Sequence, residues 1–115
     1  MLHPKFRYWI MTMQIDSHLA GSLYDLIAAD PKTVNPAGQW NTCGIKVVDG
    51  KATISMNGKV VVTYTHWTPE WDEMVANSKF KNFPGWTEGI DKIGFIGLQD
   101  HGYTVWFRNV KIREL

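Results

Sequence analysis

The sequence has little cysteine, little net charge and no long apolar run. Its single cysteine, Cys43, excludes a disulfide within the chain. Twelve Lys and Arg against eleven Asp and Glu give a net charge of +1, which argues against electrostatic binding of nucleic acid. No stretch approaches the roughly 18 apolar residues of a transmembrane helix, so no membrane span is predicted. What is left is a globular chain of 115 residues, long enough for a single domain over residues 1–115.

Signals of export and of common enzyme classes are missing as well. Residues 1–15 do not match a signal peptide, because Lys5 and Arg7 interrupt the apolar stretch. There is no glycine-rich phosphate loop and no nucleophile elbow. The histidines and Cys43 show no metal-ligand spacing, and no motif demands a metal held by Asp residues. We therefore expect no cofactor and no metal.

The pattern that is present is antiparallel β. Asp-Gly at 49–50 and Asn-Gly at 57–58 are typical of two-residue hairpin turns, and they separate three β-rich runs. The sequence therefore predicts a three-stranded meander between residues 40 and 67. Period-two alternation predicts a strand over 6–16, and 21–29 is interpreted as a second strand, with a short helix as the alternative. Residues 30–39 hold two Pro and one Gly and are predicted to form a loop.

One short helix is predicted near residues 69–79. Thr68 is suited to cap it, and Pro69 fits its first turn. Trp71 and Val75 lie on the stripe that should pack against the rest of the domain. The helix is therefore expected to pack by this stripe.

The chain is predicted to end in a β-hairpin. Residues 92–99 and 103–112 are its strands, and the Asp-His-Gly turn places Gly102 at a left-handed position. The apolar side chains change phase along the last strand, which a bulge near Asn109 would explain. Many short strands joined by tight turns give a mostly β chain with one short helix, and they favour an antiparallel β-sandwich.

Four stretches of the sequence resemble the 3-keto-disaccharide hydrolase domain family. They are IGLQDHGYTVWFRNVKIREL (96–115), GSLYDLI (21–27), PAGQWN (36–41) and PEWDEMVANSKFKNF (69–83), and their order and spacing match too. The resemblance extends from about residue 12 to the end and implies a two-sheet jelly roll similar to concanavalin A-like lectins and glucanases. It also implies a bacterial enzyme, periplasmic or secreted as most of the family is, that acts on glycosides oxidised at C3.

The chain resembles only the C-terminal portion of that family's domain. Family domains begin with several further strands, and Thr12 stands where the family carries a Glu. Missing strands would leave sheet edges unpaired, which favours pairing with a second copy in a homo-oligomer. An incomplete domain without activity of its own is one of the alternatives.

Cleavage of a 3-keto glycoside needs a base, a stabiliser of the enolate oxygen and an acid for the leaving group. His101 is the first catalytic candidate, because imidazole changes charge near neutral pH and Asp100 beside it could orient the ring. Asp16 is a candidate base, and Arg108 is a candidate for holding the ketone or enolate oxygen. The alternatives are a solvated turn for His101 and ordinary surface roles for the two charged residues.

The polar candidates for substrate binding lie near the two predicted N-terminal strands. Gln14 shares a strand face with Asp16, about 7 Å away at the usual rise, and both could hold sugar hydroxyls. If 21–29 is a strand, Tyr24 and Asp25 point to opposite faces, so at most one reaches the cleft easily. Tyr24 is then preferred for stacking on a sugar, and Asp25 is the weaker polar candidate.

Six tryptophans are available as aromatic platforms for a sugar. Trp86, in a Gly/Pro loop, and Trp106, beside Arg108, are the preferred candidates for ligand contact. Core positions are expected for Trp9, Trp40 and Trp71.

The sequence leaves two classes of function open. The first is an enzyme that cleaves 3-keto glycosides by removing the C2 proton, expelling the C1 substituent and adding water. The second is a carbohydrate-binding module without chemistry, which the aromatic side chains and Thr12 favour. In both, a carbohydrate is the expected partner.

Overall fold

The computed structural model describes residues 16–86, 93–100 and 102–115. Its centre is an antiparallel sheet of three strands, β1 (Cys43–Val48), β2 (Lys51–Met56) and β3 (Lys59–Thr65), in the order β1-β2-β3. Both connecting turns consist of two residues with positive φ, 48° and 77° at 49–50 and 51° and 81° at 57–58. Asp-Gly and Asn-Gly adopt this conformation more easily than other pairs, and the predicted meander is confirmed.

The core forms around the alternating side chains of β2. Ala52, Ile54 and Met56 are buried on this central strand. A register shift beside Ile54 accommodates an extra residue in β3, and Val61 and Val62 are both buried there. The side chains that complete the core cluster are Leu23, Ile27, Ala29 and Tyr64.

Residues 21–29 form a tight turn, so the strand predicted there is wrong. Leu23 and Ile27 make an isolated bridge, and the carbonyl of Leu23 accepts from the N–H groups of both Leu26 and Ile27. Asp25 lies inside this turn with φ 64°. The turn lets Leu23, Ile27 and Ala29 pack on the sheet, and Tyr24 between them is exposed. The loop predicted over 30–39 is confirmed.

The predicted helix is confirmed as α1 (Pro69–Ala76), and it ends before residue 79 because a 3₁₀ turn follows at Lys79–Asn82. The hydroxyl of Thr68 caps it by accepting from the N–H of Trp71 at 3.2 Å. Trp71 is buried, and its ring stacks 5.5 Å from that of Tyr64 on β3. The helix is therefore attached to the sheet through aromatic contacts.

The final predicted hairpin is absent from the described residues. Neither 93–100 nor 102–115 contains a strand, and apolar side chains such as Phe95 are exposed. A strand exists through hydrogen bonds to a neighbour, and within the described ranges these segments form no ladder with each other or with the sheet. The predicted left-handed backbone does occur at Gly102, with φ 82°. Asn109, near which a bulge is predicted, also has a positive φ of 55°.

The regular structure of the described residues is thus mostly strand, with one antiparallel sheet and one short helix. The two-sheet sandwich stays a prediction, because the described ranges contain a single sheet. Arg113–Leu115 and the exposed edge strand β1 line an open hollow of about 680 Å³. The strand predicted over 6–16 lies outside the described residues except for Asp16, which begins a 3₁₀ turn, Asp16–His18. No helix in the described part of the chain is long and apolar enough to cross a bilayer.

Candidate functional site

Four side chains with reactive or sugar-binding potential meet beside the 21–29 turn: His18, Tyr24, Asp25 and Lys79, which we call the His18 cluster. The Nε2 atom of His18 lies 2.8 Å from Oδ1 of Asp25. The imidazole stacks on the ring of Tyr24, with 4.2 Å between centroids and an interplanar angle of 16°. The Nζ atom of Lys79 lies 4.2 Å from the centroid of the same Tyr24 ring. The cluster combines a histidine, a carboxylate, an aromatic ring and a cation.

Local hydrogen bonds in the turn hold His18 and Asp25 together. The N–H of Asp25 donates to the carbonyl of Ser17 at 3.1 Å, which ties the turn to the residue before His18. The hydroxyl of Ser22 donates to the carbonyl of Asp16 and accepts from the N–H of Ala29. The left-handed backbone of Asp25 is one that Asp tolerates better than most residues. Short polar residues in a tight turn therefore position the pair.

The fourth member of the cluster comes from a distant part of the chain. Ser78 caps the 3₁₀ turn that follows α1, and its hydroxyl accepts from the N–H of Phe80 at 3.1 Å. The N–H of Lys79 donates to Oδ2 of Asp25 at 3.4 Å, across a separation of 54 residues. The end of the helix region is thereby joined to the 21–29 turn through one carboxylate.

Electrostatics in the cluster favour an ionised Asp25. The hydrogen bond with His18 is the main reason that the pKa of Asp25 lies below its usual value. Desolvation of the carboxylate opposes this lowering. The backbone N–H of Lys79 and the positive charges of Lys79 and His18 add to it. An ionised carboxylate only accepts, so Nε2 of His18 carries the shared proton. When the imidazole is neutral, Nδ1 is left as the ring atom that can accept a proton. The His18 side chain is 14% exposed and so is still within reach of a ligand.

The structure corrects the expectation that Tyr24 and Asp25 point to opposite faces. Both contact His18, since the segment is a turn and strand alternation does not apply. The Tyr24 ring is already in contact with His18 and Lys79, although the residue is 43% exposed. Because His18 and Lys79 already lie against the Tyr24 ring, a sugar could contact only the exposed remainder of this side chain.

Asp16 lies next to the cluster, at the start of the 3₁₀ turn that contains His18. Its carboxylate pairs with Nζ of Lys32 at 2.7 Å, and both side chains are more than half exposed. The structure therefore brings three predicted site residues, Asp16, Tyr24 and Asp25, into one neighbourhood. Gln14 and His101 lie outside the described residues.

The predicted residues of the final segment have other neighbours. The guanidinium of Arg108 lies 4.0 Å from the ring centroid of Trp40, and no ion pair joins it to Asp16 in the described part of the chain. Trp106 is 60% exposed. Asp100 accepts from the N–H of Gly102 at 3.0 Å. Asp100 also helps to line an open hollow of about 560 Å³, together with Leu98, Gly102, Tyr103, Thr104, Val105 and Phe107.

The observed exposure of the tryptophans differs in part from their predicted core and ligand-contact positions. Trp71 is buried as expected, but Trp40 is 49% exposed, so its expected core position is wrong. Trp86 is half-buried and stacks on Phe80, with 4.3 Å between centroids and an angle of 9°. Stacking on Phe80 occupies part of the surface that Trp86 would offer to a ligand. Trp9 lies outside the described residues.

Sequence reasoning missed two members of the cluster. From the sequence, His18 is only one of the histidines without metal-ligand spacing, and Lys79 is only part of the predicted helix region. The signal for His18 was local: it precedes a short turn that contains Asp25. No sequence spacing indicates Lys79, because its position depends on where α1 ends. No group of His, Cys, Asp and Glu suited to a metal ion occurs among the residues that the structure describes.

The described residues thus combine a mostly β fold with a polar and aromatic cluster that is a candidate site. Comparison with known proteins identifies the family. The model of the 3-keto-alpha-glucoside-1,2-lyase-like domain matches residues 3–113, so the chain belongs to this family. The family resemblance found in the sequence is thereby confirmed.

Two relatives add detail to this assignment. A 3-keto-disaccharide hydrolase of Bacteroides thetaiotaomicron is 36% identical over 105 residues, covering 84% of this chain and 36% of the relative. A crystal structure of a proposed glycosyl hydrolase from Parabacteroides distasonis has a TM-score of 0.56 and 26% identity, covering 60% of this chain and 32% of that one. The chain thus spans about a third of the length of the relatives it matches.

Proposed function

We propose that this chain cleaves 3-keto glycosides at the bond between C1 and the glycosidic oxygen. The single observation that carries the proposal is the His18–Asp25 pair, a candidate general base at the surface of a domain whose family is named for a 1,2-lyase. The B. thetaiotaomicron relative, named a 3-keto-disaccharide hydrolase, supports the substrate class.

The proposed reaction has three steps. A base removes the proton on C2, which the C3 ketone acidifies, and the electron pair moves onto the C3 oxygen to give an enolate. The enolate then expels the C1 substituent, which takes up a proton as it leaves, and a 1,2-unsaturated keto sugar is formed. Water adds at C1 while C2 is reprotonated, so the net result is hydrolysis. No ordinary pair of carboxylates flanking the glycosidic bond is needed.

Residues of the His18 cluster supply the base in this proposal. Nδ1 of His18 takes the C2 proton, and Asp25 holds the imidazole in the required tautomer and stabilises its protonated form. Asp16 and Tyr24 bind sugar hydroxyls beside it, with Gln14 as a further binding residue. His101 is the proposed acid for the leaving group, near Asp100.

The fold proposed for the active protein is the two-sheet jelly roll. Support comes from the exposed edge strand β1 and from the many exposed apolar side chains of 93–100 and 102–115, which a second layer would cover. In that arrangement the final segment adds Arg108 and Trp106 to the sugar site, and the loop that holds Trp86 adds this third residue.

The test is release of nitrophenol from nitrophenyl 3-keto-α-glucoside. The wild-type chain should release it, and His18→Phe, which keeps the stack on Tyr24, should reduce kcat by about 10²–10⁴-fold, the usual contribution of a general base. His66→Phe is the control, since that histidine lies in a different aromatic cluster. Equal rates for wild type, His18→Phe and His101→Ala would refute the assignment.

A carbohydrate-binding module without chemistry is the second candidate. The exposed Trp106, and Trp40 under the guanidinium of Arg108, favour it because such rings can pack on a pyranose. Saturable binding of unoxidised glycans without turnover, lost in Trp106→Ala, would identify this function instead.

A further inference from the structure

Two lysines near the site, Lys32 and Lys79, differ in whether they contact a carboxylate. Nζ of Lys32 is paired with the carboxylate of Asp16 at 2.7 Å. Nζ of Lys79 has no carboxylate within ion-pair distance in the described residues. It lies instead beside two aromatic rings, 4.2 Å from the Tyr24 centroid and 5.4 Å from the Phe80 centroid. The Lys79 charge is thus held in the cluster without an ion-pair contact among the described residues, although it also acts on Asp25.

Aromatic contacts position this ammonium group but leave its hydrogen-bond donors available. A ring attracts a cation through its quadrupole and provides no strong acceptor. The three N–H donors of an ammonium can therefore reach a ligand oxygen in place of water. Lys79 itself is exposed, so a ligand can approach the group from solvent.

Backbone geometry fixes where this charge can reach. The Lys79 N–H donates to the carboxylate of Asp25, whose other oxygen contacts Nε2 of His18. The side chain folds back over Tyr24, which is itself stacked on His18. The ammonium therefore lies on the same small patch as the proposed base.

We propose that Nζ of Lys79 binds the C3 carbonyl oxygen of the substrate and stabilises the negative charge that this oxygen acquires in the enolate. In this step the C2 proton goes to the base and the electron pair goes to the C3 oxygen. Lys79 contributes hydrogen bonds and positive charge without transferring a proton. This inference rests on the proposed function. It assigns to Lys79 the role that the sequence alone suggested for Arg108.

The experiment compares three variants of the full chain. Lys79→Gln removes the charge, Lys79→Arg keeps it, and Lys81→Gln is the matched control, an exposed lysine of the same 3₁₀ turn. With nitrophenyl 3-keto-α-glucoside, kcat of Lys79→Gln should fall by about 10²–10³-fold with little change in KM, as expected when an oxyanion donor is lost. Lys79→Arg should recover at least about tenfold of that loss, because the charge is retained. Lys81→Gln should stay within about twofold of wild type.

A second readout separates enolate formation from bond cleavage. Methyl 3-keto-α-glucoside in deuterated buffer exchanges its C2 proton whenever the enolate forms, whether or not the methoxide leaves. Lys79→Gln should slow this exchange as much as it slows nitrophenol release, whereas His101→Ala should slow release alone. Thermal unfolding of Lys79→Gln should match that of Lys81→Gln, which excludes misfolding as the cause.

The outcomes distinguish this inference from the function on which it rests. An active wild type with unchanged exchange and release in Lys79→Gln overturns the role of Lys79 and leaves the proposed function standing. If Arg108→Gln, and not Lys79→Gln, abolishes exchange, the enolate oxygen belongs to Arg108. A wild type that neither exchanges nor releases overturns both.

Discussion

Residues 16–86 and the two final segments, 93–100 and 102–115, contain similar side chains in different surroundings. In the first region, β2 pairs on both sides and its alternate residues are buried. In the final segments, the described residues form no strand, and Ile93 and Phe95 are 90% or more exposed. The comparison shows that an apolar, β-prone sequence becomes a strand only where a neighbour provides hydrogen bonds and a facing layer covers its side chains.

Two tryptophans, Trp71 in the first region and Trp106 in the final segments, illustrate this difference in burial. Trp71 is 5% exposed and contacts the rings of Tyr64, His66 and Trp86. Trp106 is 60% exposed. Burial, and not the identity of the side chain, should therefore decide how much each tryptophan stabilises the fold.

The largest expected effect is on Trp71→Ala. Loss of its packing between the helix and the sheet should lower the free energy of unfolding by about 3–5 kcal/mol, the usual range for a buried tryptophan. The matched variant Trp106→Ala should lower it by less than about 0.5 kcal/mol, as at other exposed positions. Urea unfolding followed by circular dichroism measures both. Equal losses would show that the final segment packs in solution as tightly as the helix.

A second pair tests the turns of the two regions. Gly50 has φ 77° and Gly102 has φ 82°, so an L-residue is disfavoured at both. A Cβ at position 50 would also lie 3.0 Å from two ring atoms of Trp67, whereas none of the described residues places an atom within 4 Å of one at position 102. Gly50→Ala should therefore cost at least the roughly 1–2 kcal/mol of left-handed backbone, and more if Trp67 cannot move.

Gly102→Ala should cost less than about 0.5 kcal/mol, since outside a hydrogen-bonded ladder the backbone can relax the strain. Both values come from thermal or urea unfolding under the same conditions. A Gly102→Ala cost as large as that of Gly50→Ala would mean that the 100–102 turn is locked in a formed hairpin, and the contrast between the regions would disappear.

Local signals account for the parts of the fold that the sequence predicted. The two hairpin turns depend on Asp-Gly and Asn-Gly pairs, and the start of α1 depends on the hydroxyl of Thr68 and on Pro69. Each of these acts within four residues and needs no knowledge of the rest of the chain. The meander and the helix could therefore be predicted with nearly correct bounds.

Features that depend on distant partners could not be predicted in the same way. The 21–29 turn exists because its apolar ends pack on β2 and β3, and no local pattern of residues indicates this. The His18 cluster joins Asp25 to Lys79 across 54 residues. The sequence indicates Tyr24 and Asp25 as site candidates, but their shared contact with His18 follows from the left-handed turn at Asp25.

The smallest expected effect is a pH dependence of stability, which tests how well the packed region excludes water from His66. His66 lies beside Tyr64, Trp67 and Trp71, with 4.6 Å between its centroid and that of Trp71. Desolvation lowers the pKa of His66 below its ordinary value of 6.5. In the window between the lowered pKa and 6.5, the unfolded chain binds a proton that the folded chain resists, so stability should decline as the pH falls through this window and level off below it.

His66→Phe keeps an aromatic ring in place and removes the titration. The difference in unfolding free energy between wild type and this variant, measured from pH 8 to pH 5 in steps of about half a unit, should be constant above pH 6.5 and should shift against the wild type below it. The remaining histidines are the same in both proteins, so their contributions cancel in the difference. A difference that does not depend on pH would show that water reaches His66 as freely in the folded chain as in the unfolded one. Trp71 would then exclude water from His66 less completely than the aromatic contacts indicate. The packed region and the final segments would then differ only in how far water reaches their side chains.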